Sequence, residues 1–207
     1  GGQGSAPYSS GENNVAIGYE ALTGFTTGYS NTAIGKGAGD AINTGYNNTL
    51  MGHSAGTALT TGFGNVIIGR VAGYATTDVD KAVIIGEQAG YTGNMTSAAD
   101  GTVSIGSGAG KNITSGIGNV SVGFGALTSE DTGDFNTAIG YQALLNQNRD
   151  GTVNNTAVGY QAGYNVTFAY GATLIGSLAG TNLTTGENNT FIGNIAGQLI
   201  TTGDFNT

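Results

Sequence analysis

The chain has 207 residues, among them 40 glycines, one proline (Pro7), no cysteine, no tryptophan and only 9% charged residues, a usage far from that of ordinary globular domains. Its formal net charge is −8 and its five lysines and arginines stand singly, so no basic patch is present to grip a phosphate backbone and nucleic acid is not an expected partner. No apolar run approaches the ~20 residues that cross a bilayer and no charged-then-apolar leader precedes residue 20, so no membrane insertion is expected of this segment and any export signal is expected elsewhere.

Each glycine held in one conformation costs roughly 0.5 to 1 kcal/mol more backbone entropy than alanine. A chain this rich in glycine therefore needs a strong source of order, or it stays disordered. Periodicity points to order. Residues 1–10 show no repeat and read as an entry segment; residues 11–207 read as one continuous array. A glycine that follows an apolar residue gives the register: Gly18, Gly35, Gly52, Gly69, Gly86, Gly106, Gly123, Gly140, Gly159, Gly176 and Gly193. The step is 17 residues eight times, with single steps of 20 and 19.

Along each unit the first predicted element is a strand that ends at the marker glycine. It opens with Val or Thr, from Val15 and Thr32 to Thr190, and β-branching at every copy favours extended backbone. Asn precedes it in eight units (Asn14, Asn31, Asn48, Asn65, Asn119, Asn136, Asn155, Asn189), as suits a turn and an amide ladder from coil to coil. Its last residue is Ile17, Ile34, Met51, Ile68, Ile85, Ile105, Val122, Ile139, Val158, Ile175 or Ile192.

Three residues past each marker stands an alanine: Ala21, Ala38, Ala55, Ala72, Ala89, Ala109, Ala126, Ala143, Ala162, Ala179 and Ala196. A slot that admits only a methyl group is expected to be tightly walled. A weaker apolar stretch follows, with Phe25, Ile42, Leu59, Ile113, Leu183 and Ile200 seven past the marker, and then Thr-Thr-Gly or a relative; it reads as a second short strand and a turn. Extra residues in the two long units, at 91–102 and 145–154, map to outward loops.

A single unit cannot bury its own Ile and Ala, whereas stacked coils bury both and pair every backbone amide. The expected fold is all-β: a β-solenoid, or β-roll, of about eleven 17-residue coils, with the isoleucine and alanine columns as its inward core. The position between, Ala16, Ala33, Leu50, Ile67, Ile84, Ser104, Ser121, Ala138, Ala157, Leu174 and Phe191, is also small or apolar. A lone thin solenoid would alternate polar residues there. That second face is expected to be covered by sister chains about a threefold axis, as a parallel homotrimer.

The strings Asn14-Val-Ala-Ile-Gly18, Asn31-Thr-Ala-Ile-Gly35 and Asn136-Thr-Ala-Ile-Gly-Tyr-Gln-Ala143 resemble the head repeats of YadA-like trimeric autotransporter adhesins, and more closely the longer repeats of phage tail-fibre-like proteins. The resemblance covers residues 11–207. It implies a trimeric left-handed β-roll that serves as adhesive head or fibre shaft, outside the cell or on a virion. This unit is longer than the YadA-like one, and no heptad stalk, membrane anchor or chaperone tail is seen. The chain ends at Thr202-Gly-Asp-Phe-Asn-Thr207, which repeats Thr132-Gly-Asp-Phe-Asn-Thr137 and stops inside a unit; it is expected to be a window on a longer array.

Nothing in the sequence suggests an enzyme. His53, the one histidine, occupies the permissive slot after a marker, where other units carry Tyr19, Lys36, Arg70, Glu87, Ser107 or Phe124. With no cysteine, a zinc site or a Ser/His/Asp triad would have His53 alone to build on. Asp78, Asp80, Glu130, Asp131, Asp134 and Asp204 fall in turns, where oxygen ligands can collect calcium; most units lack an acid there. Thr26-Thr27, Thr60-Thr61, Thr184-Thr185 and Thr201-Thr202 suggest an outer threonine array of the ice-binding kind, broken at Asp78.

Three readings stay open from sequence. The first is an extracellular fibre shaft or adhesin head, meeting its receptor through regions outside this segment, with Tyr29, Tyr46, Tyr141, Tyr160 and Tyr170 available for lateral contacts. The second is a solenoid whose repeat face binds ice or calcium. The third is a filament that polymerises end to end through open strand edges. No catalytic residue, cofactor or metal ligand is assigned.

Overall fold

The computed structural model describes residues 10–207; apart from Ser10, the entry segment 1–10 lies outside the described residues. A short strand ends at each marker, and two further ones lie in turns: β1 (Val15–Ile17), β2 (Thr32–Ile34), β3 (Thr49–Met51), β4 (Val66–Ile68), β5 (Val83–Ile85), β6 (Val103–Ile105), β7 (Val120–Val122), β8 (Gly133–Asp134), β9 (Thr137–Ile139), β10 (Gly151–Thr152), β11 (Thr156–Val158), β12 (Thr173–Ile175) and β13 (Thr190–Ile192), those in turns being β8 and β10. All but β8 and β10 form one eleven-stranded sheet in chain order, every pair parallel. Eleven strands bracket ten steps, so the protein is a parallel β-solenoid of about ten turns; at ~4.8 Å per strand the sheet runs ~48 Å.

Register survives the long steps. Val83 pairs with Val103 across the 20-residue step, and Thr137 with Thr156 across the 19-residue one. The first surplus folds into a 3-10 turn, Ser97–Ala99, where the Thr96 hydroxyl accepts the Ala98 amide at 3.4 Å. The second is absorbed near β10, which pairs with β8 in a sheet of its own.

Marker glycines make the corner. Their φ lies between 128° and 142°, a region that L side chains rarely adopt. From Gly18 to Gly176, a Cβ at any marker would also strike the carbonyl oxygen of the marker in the next coil. Two independent reasons thus exclude every other residue from this slot.

The inward side chain of each strand is its middle residue. Ala33, Leu50, Ile67, Ile84, Ser104, Ser121, Ala138, Ala157 and Leu174 are fully buried, and Phe191 nearly so. This reverses the expected facing. Ile17, Ile34, Met51, Ile68, Ile85, Ile105, Val122, Ile139, Val158, Ile175 and Ile192 point outward and are half-buried or exposed, Ile17 by 58% and Ile192 by 67%. Because both strand faces are apolar, a period of two could not tell inside from outside. The alanine column, by contrast, is interior: Ala21 to Ala179 are buried, and Ala196 packs against the core from its edge.

Volume is exchanged across this interior between the strand and the residue four past the marker. Leu22, Leu127 and Leu144 fill that fourth position, fully buried, where the strands of their own and the next coil offer only Ala16 and Ala33, Ser121 and Ala138, or Ala138 and Ala157. Where the strand carries a large side chain, the fourth position is glycine. A Cβ on Gly39 would collide with Leu50, one on Gly56 would lie 3.0 Å from Leu50 Cδ2, and one on Gly180 would lie 2.7 Å from Leu174 Cδ2. Close packing tolerates one large group per level.

Beyond the alanines the expected second strand does not form; the backbone there turns. Single bonds such as Asn43 N–H to Thr60 O (2.9 Å) and Thr60 N–H to Thr77 O (2.7 Å) tie successive turns together. Ile42, Leu59, Ile113, Val166 and Leu183 point inward from these turns and are fully buried.

Asparagines stitch the entry to each strand. Asn31 Nδ2 donates to Gly45 O (2.8 Å), while Asn31 Oδ1 accepts the Asn48 amide N–H and Nδ2, both at 3.0 Å. Asn14, Asn48 and Asn65 repeat the pattern, and Ala82 N–H closes the run on Asn65 Oδ1 at 2.9 Å. Buried amides require such partners.

Candidate interaction face

The outward face of the main sheet carries two columns. One is β-branched throughout, beginning Val15, Thr32, Thr49, Val66, Val83; the other is the isoleucine column. Over β4 to β7 the face is wholly apolar: Val66 and Ile68, Val83 and Ile85, Val103 and Ile105, Val120 and Val122. Over β4 to β7 the two columns make a contiguous apolar strip ~14 Å long at ~4.8 Å per strand, which the isoleucine column continues toward both ends beside mostly threonine; contiguous apolar surface of this kind marks a candidate interaction face. Sheet pairing sets like residues opposite like: Ile68 against Ile85, Ile85 against Ile105.

Beside the strip runs the slot that follows each marker, and its side chains are exposed from Tyr19 to Tyr160. His53 stands here with Lys36 and Arg70 on either side in the repeat, and the Arg70 guanidinium pairs with Glu87. In the later coils the slot becomes an aromatic stack: Phe124 on Tyr141 at 5.3 Å and Tyr141 on Tyr160 at 5.5 Å between ring centroids, each with 11° between planes. A second stack, Tyr29, Tyr46 and Phe63 at 4.8 Å spacing, lies on the turn before the strand and ends under the Lys81 ammonium. Tyr170 lies beneath the Arg149 guanidinium, 4.5 Å from its ring centroid. The stacks present ring edges outward because the coil pitch matches offset stacking of rings.

The turn threonines are engaged. Thr26, Thr60, Thr167 and Thr184 each donate their hydroxyl to a carbonyl one coil on, at 2.9 to 3.3 Å. The turn carboxylates likewise accept backbone N–H groups: Asp80 from Phe63 at 2.9 Å, Asp134 from Ile117 at 2.9 Å and Asp204 from Glu187 at 2.8 Å. Burial pushes the carboxyls of Asp40, Asp80 and Glu130 up from their ordinary values, in each case as the largest influence. Among the described residues no group of three or more His, Cys, Asp and Glu side chains is gathered for a metal ion. Among the described residues no helix is long and apolar enough to cross a membrane.

No family model, no curated protein and no solved structure matches this chain. The sheet strip and its rim therefore stand as the candidate site on geometry alone. Two features of it escaped sequence reading. One is which strand face looks outward; the other is the exchange between strand size and the residue four past the marker, visible as Leu22, Leu127 and Leu144 ahead of Ala33, Ala138 and Ala157, with glycine ahead of Leu50, Ile67, Ile84, Leu174 and Phe191. Only the serine coils depart from it, Gly90 and Gly110 standing ahead of Ser104 and Ser121.

Proposed function

We propose that this chain is a structural rod: the shaft or head of an extracellular fibre that supports attachment, assembled as a parallel homotrimer through the outward sheet face. The observation that carries it is the strip of Val, Thr and Ile columns, apolar over its middle and open to solvent in the single chain. Covering such a strip with the same strip of sister chains is self-complementary, because each coil then meets its own level and the apolar stretch of β4 to β7 meets itself. The resemblance of the Asn-Thr/Val-x-Ile-Gly strings to adhesin-head and tail-fibre repeats supports the same reading, and with it a place on a cell surface or virion. Reaction chemistry finds no constellation among the described residues to carry it.

The test is the mass of the native particle by light scattering. Three chain masses are expected, and Ile105→Asp, which sets three carboxylates around the axis, is expected to give single chains that keep their β circular dichroism. A wild-type protein that is a stable monomer overturns the proposal.

A further inference from the structure

Glu130 is the one acidic side chain among the described residues that is fully buried. It stands seven past its marker, where other coils place Ile42, Leu59, Ile113 and Leu183, and thus occupies a core position. Its Oε1 accepts the N–H groups of Asp131 (3.0 Å) and Gly133 (2.7 Å). Oε2 finds no donor, and the place it fills, 2.7 Å from where a Gly133 Cβ would stand, is the one the ladder amides of Asn48 and Asn65 approach at Gly45 and Gly62.

The next coil mirrors the anomaly. Gln147 occupies the same core slot, gives Oε1 to Asn155 Nδ2 at 2.8 Å, and leaves Nε2 unpartnered. Asn136 Nδ2 is unpartnered too, whereas Asn119 and Asn155 both donate to turn carbonyls, at 2.6 and 2.7 Å. Four of the six buried polar atoms without partners belong to Glu130, Asp131, Asn136 and Gln147. They gather at one seam, between the coils of β7 and β9.

We propose that this seam is a proton-sensitive joint in the rod, in which Glu130 is the sensor and its protonation tightens the stacking of the two coils. The charged groups around it leave the carboxylate without a cation. Asp131, on its own turn, adds repulsion. Asp134 is taken by the Ile117 amide, and from the coil above Asp150 accepts the Thr132 hydroxyl. Arg149 turns its guanidinium to Phe168 O and the Tyr170 ring, and Lys111, from the coil below, lies over Tyr91.

Burial holds the Glu130 carboxyl above its ordinary value, with the Asp131 charge adding to the effect; the backbone amides of Gly133 and Asp131 oppose it, as does the nearby Gln147 side-chain amide, which stops short of hydrogen-bond contact. A carboxyl raised on folding binds its proton more tightly in the native chain than in the unfolded one. Its ionisation therefore weakens the fold at neutral pH, and stability returns as pH falls through the raised value, complete below the unfolded one. Acid tightens this joint, opposite in sign to the usual salt-bridged carboxylate.

The experiment follows the Glu130 carboxyl carbon by NMR across the acid range, together with exchange of the Gly133 amide corrected for its intrinsic pH dependence. The carboxyl is expected to titrate above the ordinary glutamate range, and Gly133 protection to rise along the same curve as pH falls. Glu130→Gln is expected to lose that rise, and Glu130→Leu, the residue type of Leu59 and Leu183, to lose it equally should the first variant fold poorly. An ordinary titration, or a rise in protection that survives either substitution, overturns the proposal. It requires nothing of the assembly proposed above.

Discussion

The coils of β3 and β4 and the seam between β7 and β9 are built from the same unit, yet they close their interiors in opposite ways. In the coils of β3 and β4 the strand supplies the bulk, through Leu50 and Ile67, and the fourth position past the marker is glycine. At the seam the strands offer Ser121 and Ala138, and the bulk comes from Leu127 and Leu144 on the turn. The early coils also run an unbroken amide ladder from Asn14 to Asn65, while at the seam Asn136 holds an amide with no acceptor. Strict 17-residue spacing lets each ladder amide from Asn14 to Asn65 find its turn carbonyl; two extra residues in the coil of β9 displace the turn carbonyl its ladder amide would use.

Truncating the strand-supplied bulk tests the comparison most severely. Leu50→Ala is expected to cost about 2 to 5 kcal/mol by leaving a cavity. Adding Gly39→Leu is expected to restore part of it in denaturant melts, because the Gly39 site faces Leu50 and left-handed backbone there tolerates leucine, as at Leu22 with φ 52°. A double variant no more stable than Leu50→Ala would show that the two regions are not exchanging the same volume.

Removing a ladder side chain is expected to separate the regions next. Asn48→Ala strands the buried groups of Asn31, Asn65 and Gly62 that now pair with its side chain, at about 1 to 3 kcal/mol. Asn136→Ala deletes an Nδ2 without a partner and strands only the Asn155 N–H, which Oδ1 accepts at 3.2 Å, and is expected to cost less, measured by the same melts. Equal costs would mean that the ladder is no better satisfied in the early coils than at the seam.

The smallest effect concerns backbone strain in the regular part. Val71 is β-branched and held at φ 51°, in a column where Gly37, Gly108 and Gly125 also stand. Left-handed backbone costs such a residue roughly 1 to 2 kcal/mol, so Val71→Gly is expected to raise stability by up to about 1 kcal/mol, after the added entropy of glycine in the unfolded chain.

Spacing alone determined the coil length, the position of the strand that ends at each marker and the tight alanine column, because a unit repeated eleven times leaves only those assignments that work in every copy; the second strand expected in each unit had weaker periodicity and does not form. The marker glycine was legible for the same reason: each copy from Gly18 to Gly176 meets the next copy's backbone, so its exclusion of side chains recurs along the chain. Which face of the strand looks inward was decided only by the tertiary structure. Both faces are apolar, and the choice depends on where the chain turns at a glycine with φ near 135° and on how strand and turn share one narrow interior. Glu130 belongs to the same class. Its slot was readable as a turn carboxylate, and only the stacking of Gln147 and the lengthened coil above it makes that carboxylate part of the core.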